Sequence, residues 1–459
     1  MSSTNPDGIT IGIDLGTSAV KVVARGSDRR VLAVGGSGFQ TASALPRQAE
    51  QNPADWLRAV ALAMGQLQQT VPRLMGETWV KGVGAIGLTG QLPTLVCLTD
   101  DGPLASAIIW KDGRADEWAA KQLDAPRRKH VYSRTGMPVD GRYLAPMLEY
   151  HFADRIGEIR CVLSAKDYLL YELTGLCLTE PSTAAGYGTY DLQNRAFSEE
   201  LGRFWHLPQE LMPAIKPANT LAGALTAKGA KLLGLPAGIA VSTGAADSVC
   251  ASYAMVDLHP GIASVSLGSS AVILGAIAEP RLDAESRYLL TPHVEDGWYG
   301  REMDLLATGT GYRWLSNLFS WRDGDLDRYA ASSIPGARGL CFTPYLAGGE
   351  QGALWNHQLR SVIFGLGLQH SAGDIARAFL EGVFFEIRRC IEVLAETAPI
   401  ESVMVSGNIT RSSSSTQMLA DILQRPVGAV LDHSPAAIGA ALLARKLTGA
   451  PVAGLRANR

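Results

Sequence analysis

The sequence predicts a two-domain α/β protein with a cleft between related halves, and three observations carry that prediction. The chain has 459 residues, which suits two domains of about 200 residues or more better than a single hydrophobic core. Hydrophobic residues make up 47% and charged residues 19%, with 49 Gly, 23 Pro and only 7% aromatics. That mixture favours strands, helices and many turns over a helical bundle, and it excludes disordered, collagenous and coiled-coil classes. A short segment also recurs: residues 14–20 read DLGTSAV and residues 266–272 read SLGSSAV, an ungapped match offset by 252 residues. One such segment per half suggests a duplication. The boundary is placed near residue 247, giving domains 1–247 and 248–459.

Residues 9–13 and 20–24 are β-rich runs flanking the turn DLGTSA and read as a hairpin; residues 30–35 are a third strand. Apolar residues at helical spacing over 55–75 predict a helix ended near Pro72. Residues 82–88 form a buried strand leading into a Gly-Gln-Leu-Pro-Thr turn, and strands follow at 95–98 and 107–110, the latter running into KDGR. Residues 164–173 read as a helix. Near 235–250 the strand GIAVST leads to GAADSVCASYAM, where small residues open a helix, and GIASVSLGSSAVILG is a second strand-turn-strand. Helices are expected at 309–319, 374–397, 413–424 and 435–447.

Charge and motif content narrow the function. The 41 basic and 44 acidic residues leave a net charge of -3 with no basic run, so a general nucleic-acid binder is excluded. The first eight residues lack a basic-then-apolar pattern, and no apolar stretch reaches the ~20 residues of a membrane helix, so a cytoplasmic protein with no membrane partner is expected. The six cysteines (Cys97, Cys161, Cys177, Cys250, Cys341, Cys390) form no C-x-x-C pair and read as buried free thiols in a reducing compartment. The eight histidines show no H-x-x-x-H or H-E-x-x-H spacing and read as surface or satisfied residues. No G-x-S-x-G elbow and no Walker loop is present.

The repeated segments are the candidate anion sites. In each, a strand ends in Leu-Gly followed by two hydroxyl residues and a second strand. Gly16 and Gly268 would permit close backbone approach and a positive φ. Thr17 and Ser18, like Ser269 and Ser270, would add hydroxyl donors to a row of backbone N–H groups suited to phosphate, with Lys21 in reach. Either loop alone reads better as an ordinary hairpin turn; two at matched positions favour phosphate. Asp14 beside such a loop implies an intervening cation, Mg²⁺ held through water, or else an Asp bonded to its own turn. Asp247 follows a strand and a small-residue turn at a helix mouth. It reads equally as a helix N-cap and as the base that takes a hydroxyl proton during phosphoryl transfer.

Taken together, IGIDLGTSAVK, IWKDGR at 109–114, SAKDYLLYELTG at 164–175, GAADS at 244–248, SLGSSAV and SVIFGLGLQHSAGDIARAFLEG at 361–382 resemble the FGGY carbohydrate kinases, in order and spacing, over essentially the whole chain. Within that family the likeness is greatest to the xylulokinases. The resemblance implies two actin-like (ribonuclease H-like) domains, with ATP and a sugar meeting in the cleft and Asp14 and Asp247 beside Mg²⁺. It implies that Gly16, Thr17, Ser18 and Lys21 face the γ-phosphate, that Gly268, Ser269 and Ser270 hold the other phosphates, and that Gly309, Arg313, Gly407, Asn408 and Ser412 line the nucleotide site. Asp247 matches the catalytic base, and Gln91, Leu92, Pro93, Trp110, Asp112 and Ser248 fall where the sugar is held. The departures are Leu92-Pro93 where Met-His is usual, Ser248 for Asn, Gly349-Glu350-Gln351-Gly352-Ala353 for G-E-R-T-P, Gly407-Asn408-Ile409 for a triple Gly, Met147 for Lys, and His433 where an acid is common. The expected activity is ATP-dependent phosphorylation of a ketopentose such as D-xylulose. The alternatives are another ketose, a polyol or glycerol, or a non-catalytic actin-like nucleotide-binding protein. A homodimer is compatible with either.

Overall fold

The structure, a computed structural model, describes residues 8–28, 30–347, 352–356, 358–431 and 434–449. These divide into two compact units. The first comprises 8–254, 291–298 and 434–449, and the second 255–290 and 299–431. The boundary read at 247 falls at the start of the helix Asp247–Val256.

In the first unit the main sheet contains β1 (Ile9–Leu15), β2 (Ala19–Arg25), β3 (Val31–Gly38), β4 (Val83–Gly90), β5 (Leu221–Ala224), β6 (Ala240–Ser242) and β7 (Ala245–Ala246), labelled in chain order within the two main sheets. Their order is β5-β6-β4-β1-β2-β3, with β7 continuing along β4 on the side away from β1. β1 is buried along its whole length, so it reads as a continuous apolar run rather than an alternating one. The helix Pro53–Thr70 covers one face with Trp56, Val60, Met64 and Leu67. Asn52 caps it and Pro53 occupies its first turn, where a missing N–H costs nothing. The helix expected over 55–75 is thus two pieces: Pro72 cannot donate to the preceding turn, and a separate turn follows at Pro72–Met75.

The helix Pro435–Leu447 belongs to this first unit, far from it in sequence. It lies on β1 and β4 at Gly12 and Gly87, which are register partners. A Cβ on Gly12 would stand 1.8 Å from Ala437 O, and one on Gly87 1.8 Å from Ala440 O. Glycine in these strands is a seat for a helix backbone.

The second unit repeats the plan. Its sheet contains β8 (Ile262–Leu267), β9 (Ala271–Ile277), β10 (Leu289–Pro292), β11 (Tyr299–Leu305), β12 (Ser402–Gly407) and β13 (Val427–Val430), in the order β10-β11-β9-β8-β12-β13. In both units the first strand pairs antiparallel with the second and parallel with a later one, the fourth (β4) in the first unit and the fifth (β12) in the second. The long helix Ala372–Thr397 opens with a capping box from Ser371 and Asp374.

Two expectations are corrected. Cys341 is exposed and Cys177 half-buried; the other four cysteines are buried, and none of the six is in a disulfide. His293 is buried with Nε2 lacking a hydrogen-bond partner, and the same holds for Nε2 of His151. Burial pushes His293 down to about 3 and His151 to about 4. His357 and His433 lie outside the described residues, as do Gly349, Glu350 and Gln351. Among the described residues no helix is long and apolar enough to cross a membrane.

The helix seat yields a test. Gly87→Val should unseat the helix Pro435–Leu447 and lower the unfolding free energy by roughly 3 kcal/mol or more, as overpacking against backbone does; urea denaturation of the variant measures this.

Candidate active site

Three strand ends of the first unit stop on one line. Leu15 of β1 and Ala246 of β7 both pair with Gly90 of β4, from opposite sides. Asp14 is one residue before that line, Gln91 and Asp247 one residue after it. Two strand spacings across and two residues along therefore separate the backbones of Asp14 and Asp247, about 12 Å in all. Gly90 leaves the centre bare; a Cβ there would stand 3.1 Å from Leu15 O.

Asp14 is 7% exposed and its Oδ1 has no hydrogen-bond partner. Burial pushes its carboxyl up to about 6, against the opposing charge of its cross-strand neighbour Lys21. Gln91 is held through backbone and side chain. Its N–H donates to Leu15 O at 2.9 Å, and its Nε2 donates to Gln51 Oε1 at 2.8 Å. Gln51 Nε2 in turn donates to Thr17 O at 2.8 Å, and Trp56 Nε1 donates to Gln51 Oε1 at 3.0 Å. Gln91 Oε1 is buried without a partner. Trp110 Nε1 donates to Thr17 Oγ1 at 3.1 Å, which ties Trp110 to the first hairpin turn. Leu92 and Pro93, joined by a cis peptide, pack against Gly186. Asp112 is buried and engaged: Arg114 Nε bonds both its oxygens at 3.0 and 2.9 Å, and Ala49 N donates to Oδ2 at 2.8 Å. Asp247 is half-buried at the first position of its helix, and Ser248 N donates to its Oδ1 at 2.8 Å.

The second unit gathers another group of candidates at the ends of β8 and β12. Gly309 N donates to Gly268 O at 3.1 Å and Thr310 N to Ser269 O at 3.0 Å, which docks the helix Gly309–Leu318 on the second hairpin turn. A Cβ on Gly309 would stand 2.2 Å from Gly268 O. Arg313 Nη2 lies 3.4 Å from Ser269 Oγ. Gly407 pairs with Leu267, has φ +105, and a Cβ on it would stand 2.0 Å from Leu267 O. Asn408 follows directly and is exposed; Ser412 caps the helix Ser413–Leu423 through Ser415 N.

The left-handed backbone expected at Gly16 and Gly268 lies elsewhere. Neither has a positive φ, whereas Gly244 (φ +78) and Gly407 do. The N–H of each turn glycine is spent locally, Gly16 on Ala19 O at 3.1 Å and Gly268 on Ser270 O at 2.9 Å. The two repeats also differ in pairing. Asp14 faces Lys21, but Ser266 faces Val272, so the second turn is one residue shorter. The ungapped sequence match hides that slip.

Residues 9–254 match the N-terminal domain of the FGGY family of carbohydrate kinases, and residues 263–446 match its C-terminal domain. The chain belongs to this family. A xylulose kinase of Staphylococcus epidermidis is 29% identical over 95% of this chain and 87% of its own length. A gluconokinase of Bacillus licheniformis is 26% identical over 96% of this chain and 87% of its own. The crystal structure of xylulose kinase from Rhodospirillum rubrum matches with a TM-score of 0.86 and 29% identity, covering 98% of this chain and 93% of that one. The fold is the two-domain actin-like, ribonuclease H-like architecture, and the protein is a sugar kinase, in a family that uses ATP.

Reading from sequence missed Gln51, Lys166, Glu180 and Ser182, which support this kinase's candidate residues from beneath. Lys166 was within reach, standing inside SAKDYLLYELTG as a lysine amid apolar residues; the others carry no local signal.

Asp14 supplies a prediction with a definite sign. Its carboxyl titrates higher in the folded chain, so burying the charge costs stability above about pH 6 and nothing below about pH 4. Asp14→Asn should raise the unfolding free energy of the ligand-free protein near pH 8 by about 1–3 kcal/mol, with the gain vanishing near pH 4; denaturant unfolding at the two pH values checks it.

Proposed function

We propose that this kinase transfers the γ-phosphate of ATP to a primary hydroxyl of D-xylulose, giving D-xylulose 5-phosphate, with Asp247 as general base. The observation that carries the reading is the shared strand-end line: it sets one half-buried carboxylate, Asp247, beside Gln91 and across from Asp14. An Asp within hydrogen-bond reach of the acceptor hydroxyl takes its proton as the new P–O bond forms. Gln91, Leu92, Pro93, Trp110, Asp112 and Ser248 are assigned to the sugar. Asp112, paired with Arg114, acts there by shaping the loop. Gly16, Thr17, Ser18, Lys21, Gly268, Ser269, Ser270, Gly309, Arg313, Gly407, Asn408 and Ser412 are assigned to the nucleotide. The two domains are assigned as 1–247 for the sugar and 248–459 for the nucleotide.

A divalent cation fits the residues present. Asp14 Oδ1 is a buried acceptor without a partner, and no cluster of three or more metal-ligating side chains occurs among the described residues. A donor set of one or two carboxylates suits Mg²⁺, which keeps most of its water. Asp14 and Asp247 would hold it, and the ion would supply charge neutralisation to the phosphoryl oxygens. Asp14 must be ionised to bind it, so Mg²⁺·nucleotide affinity should weaken about tenfold from pH 7 to pH 5, and Asp14→Asn should abolish that dependence; calorimetric titration at both values measures it.

Another ketose or a polyol is the second reading. It is favoured by the apolar Leu92-Pro93 pair, because a polar contact absent from the pocket changes which hydroxyl pattern is accepted. ATP turnover against xylulose, other ketoses, gluconate, glycerol and other polyols decides: highest kcat/KM on xylulose is expected, and no turnover on it with turnover elsewhere overturns the substrate. Asp247→Asn should lower kcat by roughly 10²-fold or more with nucleotide binding kept; unchanged kcat removes Asp247 from the role.

A further inference from the structure

The tetrapeptide before Asp247 is fastened by buried side chains at three points. Lys166 Nζ donates to Thr243 O at 3.0 Å and to Asp167 Oδ1 at 2.5 Å. Thr89 Oγ1 donates to Ala245 O at 2.7 Å. Ala246 N donates to Ser182 Oγ at 2.9 Å. Ser182 Oγ lies 2.9 and 2.8 Å from the two oxygens of Glu180, which also accept from Ser182 N and Thr183 N, each at 2.8 Å. Lys166, Thr89, Ser182 and Glu180 are all 0–1% exposed.

The direction of these bonds matters. A serine hydroxyl has one proton and two lone pairs. Glu180 takes the proton, so a lone pair of Ser182 is turned toward Ala246 N. That bond and the one from Thr89 to Ala245 O hold the two ends of a single peptide, Ala245–Ala246, and so fix its rotation one residue before Asp247. Gly244 allows the turn itself: its φ is +78, and a Cβ there would stand 2.0 Å from Leu88 O. As cap of the short helix Pro181–Ala185, Glu180 needs only the two backbone bonds; the link through Ser182 Oγ to a different strand is additional to capping. A buried carboxylate is costly unless bonded, and Glu180 spends its acceptors on this link and the helix start.

We propose that Ser182, oriented by Glu180, is a positioning residue for Asp247: it sets the angle at which the carboxylate meets the acceptor hydroxyl without touching substrate. The proposal rests on Asp247 being the base. A base displaced by about 1 Å can cost on the order of 10²-fold in rate, whereas ligands held elsewhere keep their affinity.

The test is steady-state kinetics on the full-length enzyme with its best acceptor. Ser182→Ala should lower kcat roughly 10- to 100-fold and leave KM for ATP and sugar within about twofold. Ser182→Thr, which restores the hydroxyl, should recover most of the lost turnover. Glu180→Gln, nearly isosteric, should lower kcat alone by a smaller factor, and it carries the test if Ser182→Ala does not fold. Unchanged kcat in Ser182→Ala, or in Glu180→Gln where that variant stands in, overturns the proposal. So does a fall that Thr does not relieve and that moves both KM values. Asp247→Asn separates the two claims: if it keeps wild-type turnover, the base assignment fails and this proposal with it; if it is inactive while Ser182→Ala is normal, only the positioning role fails.

Discussion

The architecture of the first unit depends on one register: three parallel strands, β1, β4 and β7, end opposite a single glycine, Gly90. Strand pairing is fixed by main-chain hydrogen bonds and by which face is buried, so its register is firm. Firm register converts sequence positions into spatial ones. Asp14, Gln91 and Asp247 are widely separated in the chain, yet each lies one residue from the same line. Rigid strand ends hold reacting groups more tightly than free loops do, and the glycine keeps the centre of the line open.

The same economy explains the polar atoms left bare. Most buried polar groups in folded proteins are bonded. Asp14 Oδ1 and Gln91 Oε1 are not, although the surrounding amides and hydroxyls of Gln51, Trp56 and Thr17 are. Two bare acceptors beside one strand-end line are open to a cation or to the hydroxyl of a ligand.

Much of this was legible in the sequence, and the reasons are specific. Whole-length apolar strands such as β1 and the helix over 55–75 declare themselves through their apolar spacing. Asp247 was visible as a carboxylate at a strand-to-helix turn, and the repeated DLGTSAV and SLGSSAV segments do occupy the same turn in each unit. What stayed hidden was pairing. The one-residue slip between the two hairpins opens no gap in the aligned segments, yet Asp14 faces the residue seven positions on, Lys21, whereas Ser266 faces the residue six positions on, Val272. The positive-φ glycines were misplaced because a Gly in a turn looks the same whether its N–H closes the turn, as in Gly16, or its backbone must reverse hand, as in Gly407. Glu180 and Ser182 carry no local pattern; their meaning comes from a bond to Ala246, which lies 64 residues along the chain from Ser182.

The helix Pro435–Leu447, resting on Gly12 and Gly87, has a consequence for how the polypeptide matures. During synthesis the first sheet emerges from the ribosome long before the segment that shields this face. Until residues 435–447 have emerged, a bare patch of backbone and small side chains awaits its cover, and a fragment ending after residue 254 would lack a wall.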